Sequence, residues 1–198
     1  ESVSFGVAAL ARENGGTIEA KLSGSDDLVT LRQLADKALS IANVVVVTGG
    51  ASVGERDFAK AMFAEQELEL LFSKVAIKPG KPVWIGRSQG RWVVGLPGNP
   101  GSAMVTARLF LAPLLGLLQG RSVEDVLDWV PLQAAQIFPI PESRTTFVRA
   151  VLSKSGLVPL ANQDSSAQAP LGKARWLVRR DPAGKASHCD ERMLALAF

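Results

Sequence analysis

Three lysines, Lys74, Lys78 and Lys81, fall within eight residues, and the last two are set in a frame made by Pro79, Gly80 and Pro82. Proline restricts φ, so ammonium groups carried there lose less freedom on binding. Lysine works as a mobile point charge for phosphate or another oxyanion. Two glycine-rich segments supply a complementary feature. One is Thr48-Gly49-Gly50-Ala51-Ser52-Val53-Gly54; the other is Gly95-Leu96-Pro97-Gly98-Asn99-Pro100, followed by Gly101 and Ser102. Each lies between an apolar run and a helical pattern, and consecutive backbone N–H groups at such a junction hold anions. Neither is a Walker loop, and no G-x-G-x-x-G fingerprint is present. Asp57, just past the first loop, reads either as a helix cap or as a ligand for a hard cation near phosphates. Asp26 and Asp27 carry the same two readings at another loop. The plain alternatives are ordinary tight turns and a solvated lysine cluster; the rigid Pro/Gly frame favours a binding site.

Composition narrows the chemistry further. The chain has 198 residues, 47% apolar and 21% charged, which is ordinary for a globular protein able to bury a core. The one cysteine, Cys189, cannot form an intrachain disulfide, so a reducing compartment, the cytoplasm, is the default. A zinc site or a Ser/His/Asp triad would have to use the one histidine, His188. Both residues read as surface positions. A net charge of +3 suits a phosphate-bearing small molecule better than a duplex, and the basic residues lack aromatic interleaving, so no nucleic acid is expected. The apolar stretch Ala103 to Leu118 is interrupted by Arg108 and Pro113 and reads as too short to cross a bilayer, so no membrane is expected.

The positioning elements follow from periodicity. A helix is predicted from Phe5 to Gly15, a strand over Thr17 to Leu22, and a helix over Leu28 to Ser40 with Asp26 or Asp27 as its cap. Val44 to Val47 is a continuous β-branched run followed by glycines, the pattern of a strand buried on both faces of a parallel sheet. A helix from Asp57 to Glu67, a short strand Val75 to Lys78, a hairpin of Val83 to Arg87 with Arg91 to Gly95, and a helix from Gly101 to Leu118 complete the first part. After residue 119 the texture changes to short strands punctuated by prolines: Val130 to Ala135, Thr146 to Leu152, Leu157 to Ala161, Ala174 to Val178 and Met193 to Leu196. The expectation is therefore an α/β unit, 1–119, with a mainly parallel sheet flanked by helices, then a small all-β, barrel-like unit, 120–198.

Taken together, Thr48 to Asp57, Lys74 to Pro82, and Gly95 to Pro100 followed by Ser102-Ala103 resemble the MoeA-type molybdopterin molybdenumtransferases, the family that includes the gephyrin E domain. Arg149-Ala150 and Gln163-Asp164-Ser165-Ser166 resemble that family's C-terminal β-domain. The resemblance implies insertion of molybdenum from molybdate into adenylylated molybdopterin, with release of AMP and with Mg²⁺ assisting. It implies a MogA-like fold for the first unit and a MogA-type adenylyltransferase as upstream partner. It also implies a homodimer for the longer protein, with the first strand and N-terminal domains lying upstream of Glu1. On this resemblance Asp57, Lys74, Lys78, Asp26 and Ser165 are the catalytic residues, with Asp57 also the metal ligand and Asp27 the alternative register for Asp26. Thr48, Gly49, Gly50, Ser52, Gly54, Lys81, Gly95, Pro97, Gly98, Asn99, Pro100 and Ser102 would bind the pterin phosphate. Asp164 stands where the family usually has Gly. Two other readings compete: a MogA-type molybdopterin adenylyltransferase, against which the Gly95 to Pro100 loop and the trailing β-unit argue, and a catalytically silent scaffold of the same fold.

Overall fold

The computed structural model describes residues 3–25, 27–49 and 58–198. In chain order the helices and strands are α1 (Val3–Glu13), α2 (Leu28–Ile41), β1 (Val44–Thr48), α3 (Phe58–Ala61), β2 (Glu69–Ser73), β3 (Ile77–Lys78), β4 (Trp84–Ser88) and β5 (Arg91–Leu96). Then come α4 (Pro100–Thr106), a π-helical stretch Ala107–Leu111, α5 (Ala112–Leu118), α6 (Val123–Val126), β6 (Val130–Gln133) and β7 (Thr145–Ser153). The chain closes with β8 (Gly156–Pro159), α7 (Gln168–Lys173), β9 (Trp176–Arg180) and β10 (Arg192–Ala197).

The first sheet has the order β1-β5-β4-β2. Only β1 and β5 run parallel; β5 with β4 and β4 with β2 are antiparallel, so the sheet is mixed where a mainly parallel one is expected from sequence. Connection length is the reason. A parallel pair needs a crossover of a dozen residues or more, which separates β1 from β5, whereas β4 turns into β5 through Gln89 and Gly90. Both turn residues have positive φ, 49° and 76°, the geometry of a two-residue hairpin turn that matches strand twist. The valine run does face two ways. Val44 and Val46 pack into the core shared with α1 and the long helix, and Val45 and Val47 into the core under α2 and α3. Of the four, only Val45 is fully buried.

Several local expectations shift. Thr17 to Leu22 forms no strand, since no ladder partner meets it among the described residues. The expected helix from Asp57 to Glu67 is observed as the single turn of α3 and a 3₁₀ turn at Ala64–Gln66. Strand β2 and helix α7 have no counterpart in the sequence reading. Strand β3 is two residues long and joins the second sheet through β7, in parallel, rather than the first.

Helix α4, the π stretch and α5 run on continuously from Pro100 to Leu118. Pro113 does not end the helix. The π stretch before it, in which Ala112 N–H bonds Ala107 O, absorbs the ring and the missing donor. At 19 residues this helix is long and apolar enough to cross a membrane by length and composition, contrary to the expectation that it is too short. It is also 67% buried inside the protein, as a core helix is. Ala103, Val105, Ala107, Leu111 and Ala112 are all at or near zero exposure and pack with Val94 and Leu96 of β5 and with Phe147, Leu177 and Leu196 of the second sheet. One core therefore ties the two sheets to a single helix.

The second sheet runs β3-β7-β9-β10-β6, with β8 on β7. It curls around Phe138, Val148, Leu157 and Val178, and a lone bridge joins Ala134 to Leu157. No ladder closes it, so the barrel expected from sequence is a curved open sheet. Its strands otherwise fall within a residue or two of their expected places.

Gly95 is the tightest point of the first sheet, because a Cβ there would overlap the fully buried Trp84 indole on the neighbouring strand. Gly95→Ala is expected to cost about 1–3 kcal/mol by overpacking, a fall of roughly 3–10 °C in Tm for a domain of this size. Thermal denaturation checks this. Combining it with Trp84→Leu should recover part of the loss, and strict additivity of the two would argue against the packing account.

Candidate functional site

The parallel pairing of β1 with β5 sets Thr48 beside Leu96, so both glycine-rich segments leave the sheet at the same edge. Gly49, at φ +86°, follows β1, and its N–H bonds Leu96 O at 3.4 Å. A Cβ on Gly98 would stand 3.4 Å from Gly49 Cα, so the two backbones are in contact. The carboxyl ends of adjacent parallel strands are where ligands bind in open α/β sheets.

The lysine segment arrives from the side. Lys74 N–H bonds Val83 O and Val75 N–H bonds Lys81 O, closing the segment into a compact loop. Lys74 itself has a left-handed backbone, φ 65°, which a lysine adopts at some cost. Gly80 packs with no room for a side chain against Thr106, in the second turn of the long helix. The ammonium of Lys78 lies 2.7 Å from Glu142 Oε1, 64 residues later. Lys74 and Lys81 are exposed at the same loop.

The second sheet contributes from the opposite side. Gly101 N–H donates to Ser165 O at 2.7 Å, and Asn99 Nδ2 lies 3.4 Å from Ser165 Oγ. Beneath them stands Arg149 on β7, with no exposed surface. Its Nη2 donates to Asp164 O at 3.1 Å, while Gln163 brackets its backbone with bonds to both its N–H and its carbonyl. Its Nε and Nη1 are buried without a hydrogen-bond partner. A Cβ on Gly101 would come within 2.9 Å of that Nη1, so the guanidinium lies directly against the start of the long helix. Burial lowers the guanidinium pKa, and the Asp164 carboxylate opposes that shift.

The structure thus gathers Thr48, Gly49, Gly95, Pro97, Gly98, Asn99, Pro100, Ser102 and Ser165 around one helix start, with the Lys74–Lys81 loop packed on its second turn. Asp26, Gly50, Ser52, Gly54 and Asp57 lie outside the described residues. Asp27 takes the plain reading. Its carboxylate accepts from Thr30 N–H and Oγ1 at 2.8 and 2.7 Å, capping α2, and those bonds lower its pKa. The helix start also offers fewer amides than the sequence suggests, because Pro100 has none and Ser165 takes that of Gly101. Among the described residues no group of three or more His, Cys, Asp or Glu could hold a metal ion. His188 and Cys189 are exposed, as expected.

Arg149 and Glu142 join the candidate site without having been among the expected site residues, although Arg149-Ala150 formed part of the resemblance. The signal for Arg149 was a guanidinium in the middle of the apolar run Phe147 to Leu152. Glu142 carried none, because only folding brings it to Lys78. A separate groove of about 630 Å³ lies between α1, the long helix and α7, lined by Leu10, Met104, Arg108 and Leu171 among others, and it shares only Pro100 with these loops.

The fold is a mixed α/β unit with paired glycine loops at parallel strand ends, and a lysine loop and a buried arginine stand beside them, groups whose chemistry can receive an anion. The chain belongs to the MoCF_biosynth family, whose model matches residues 2–116 and is described as "Probable molybdopterin binding domain". It is 49% identical over 84 residues to the molybdopterin molybdenumtransferase of Haemophilus influenzae, covering 42% of this chain and 20% of that protein. It is 28% identical over 176 residues to the molybdopterin molybdenumtransferase of Staphylococcus aureus, covering 87% of this chain and 42% of that one. A crystal structure of a molybdopterin biosynthesis moeA protein from Pyrococcus horikoshii superposes on 87% of this chain and 41% of that one, with a TM-score of 0.68 at 27% identity. The chain spans between a fifth and about two fifths of the length of these two curated relatives.

A buried guanidinium with two unpaired donors costs stability, and an apolar residue of similar length removes that cost. Arg149→Met is therefore expected to leave Tm unchanged or raised, read by thermal denaturation, and a large fall in Tm would show that the guanidinium is a net stabiliser of the fold.

Proposed function

We propose that this chain is the cofactor-binding part of a molybdopterin molybdenumtransferase, which inserts molybdenum from molybdate into adenylylated molybdopterin and releases AMP. The observation that carries this reading is Arg149, a fully buried guanidinium with two unpaired donors set against Gly101 and the Ser165 loop. A buried guanidinium with unpaired donors is a group that an oxyanion or phosphate can satisfy. Family membership and the names of the relatives support the same substrate class.

On this reading the glycine loops hold the pterin phosphate at the ends of β1 and β5. Lys78, Lys74 and Lys81 supply positive charge from one side, and Arg149 supplies it from beneath. Ser165 and Asn99 fix the seam where the second unit meets the helix start. Cleavage of the adenylate anhydride is phosphoryl-type chemistry, in which positioning and charge stabilisation do most of the work. The residues described here bind and orient the anions and offset the charge that develops on them. Mg²⁺, held by Asp57 on this reading, would supply further charge neutralisation; the described residues hold no carboxylate cluster. The division at 119/120, a homodimer of the longer protein, a MogA-type upstream partner and a cytoplasmic location belong to the same reading.

The test uses the longer parent protein. Lys78→Ala should reduce molybdenum insertion roughly tenfold or more, as loss of a charge-assisted contact does. Unchanged insertion would remove Lys78 from the site, and unchanged insertion with both Lys78→Ala and Arg149→Met would overturn the reading.

A further inference from the structure

The Lys78–Glu142 contact ties a lysine of the proposed anion site to a carboxylate of the second unit. Its geometry is built in by the chain around it. Pro141 is buried and packs beside Gly184, and Glu142 O accepts from Ala183 N–H at 3.2 Å, which fixes the backbone of Glu142. On the other side, Thr145 N–H bonds Ala76 O, Arg144 Nη1 donates to Ile77 O at 3.0 Å, and β3 pairs with β7 at Ile77–Thr145 and Lys78–Thr146. The Glu142 backbone is thus held by Ala183 on one flank, and the residues that follow it are stitched to the Lys78 segment on the other. Both side chains remain about half exposed, 47% for Lys78 and 62% for Glu142, so a ligand can reach the ammonium.

We infer that Glu142 is a resident competitor for Lys78: it occupies the ammonium when no anion is bound, must be displaced when one binds, and so sets the affinity of the site. This rests on the reading of Lys78 as an anion-binding residue. A carboxylate and an oxyanion seek the same ammonium, and one lysine held at 2.7 Å by the first is less available to the second. The Arg144 guanidinium, whose Nη1 is held by Ile77 O, also acts on Glu142 through its charge. Both cations hold the Glu142 pKa below the usual carboxylate range, with the Lys78 hydrogen bond the larger cause. Because the folded-state pKa is depressed, the contact is present through and above the ordinary carboxylate range and is lost as the pH falls through the lowered value.

The probe is sodium molybdate, titrated calorimetrically into this chain at fixed low ionic strength. Removing an exposed competing ion pair is worth about a two- to fivefold change in affinity. Glu142→Gln should therefore bind molybdate two- to fivefold more tightly than the unaltered chain, with unchanged Tm, and Lys78→Ala/Glu142→Gln should bind no more tightly than Lys78→Ala alone. Affinity equal to or weaker than that of the unaltered chain in Glu142→Gln, with Lys78→Ala still weakening binding, would overturn the competitor role and leave the anion site standing. Equal binding by Lys78→Ala and the unaltered chain, or no binding by any of the four proteins, would overturn the anion-site reading and the competitor role together.

Discussion

A side chain at Gly101 would strike the Arg149 guanidinium and the backbone of Ser165 at about 3 Å, and this lack of space decides how the two sheets meet. The start of the long helix is pressed against a loop of the second unit, with Ser165 O taking the Gly101 amide. That single hydrogen bond and the bare Cα beneath it bring a guanidinium on β7 to the start of the long helix that follows β5. The lysine loop then has one place to go, since Gly80 packs on Thr106 of the same helix and β3 adds to the edge of β7.

The long helix makes the crossing rigid. Its small residues, Ala103, Ala107 and Ala112, let β5 on one side and the second sheet on the other approach closely, and larger apolar residues between them fill the remaining space. The π stretch lets the helix pass Pro113 without a break, so its apolar face extends along the whole interface. Because both sheets pack into the same core, the groups gathered around the helix start are held in fixed register. Arg149 sits buried and only partly satisfied within that frame. Such a group persists where folding energy elsewhere offsets its desolvation, and it is the kind of local inconsistency that marks a site rather than a core.

The charges near the site are balanced rather than simply positive. Lys78 faces Glu142, Arg149 faces the Asp164 backbone and carboxylate, and Lys74 and Lys81 stay exposed. A net charge of +3 spread over 198 residues therefore says little about the local field, which is set by which carboxylates the fold places beside which cations.

Much was legible in the sequence because it depends on neighbours along the chain. Helix α2 with its Asp27 cap, the Gln89-Gly90 hairpin, the valine strand and the strands of the second sheet follow from local periodicity and turn chemistry, and the glycine and lysine loops stand out by composition. The sheet's mixed direction, the open curl in place of a barrel and the attachment of β3 to β7 were decided by connection length and by which edges were free, which no local pattern records. Thr17 to Leu22 has a strand's alternation but no partner to pair with. Arg149 and Glu142 became site residues only through contacts with residues 48 and 64 positions away, at Gly101 and Lys78. A side chain's type is written in the sequence, but what it faces, and hence whether its charge is spent on the fold or left for a ligand, is set by long-range packing.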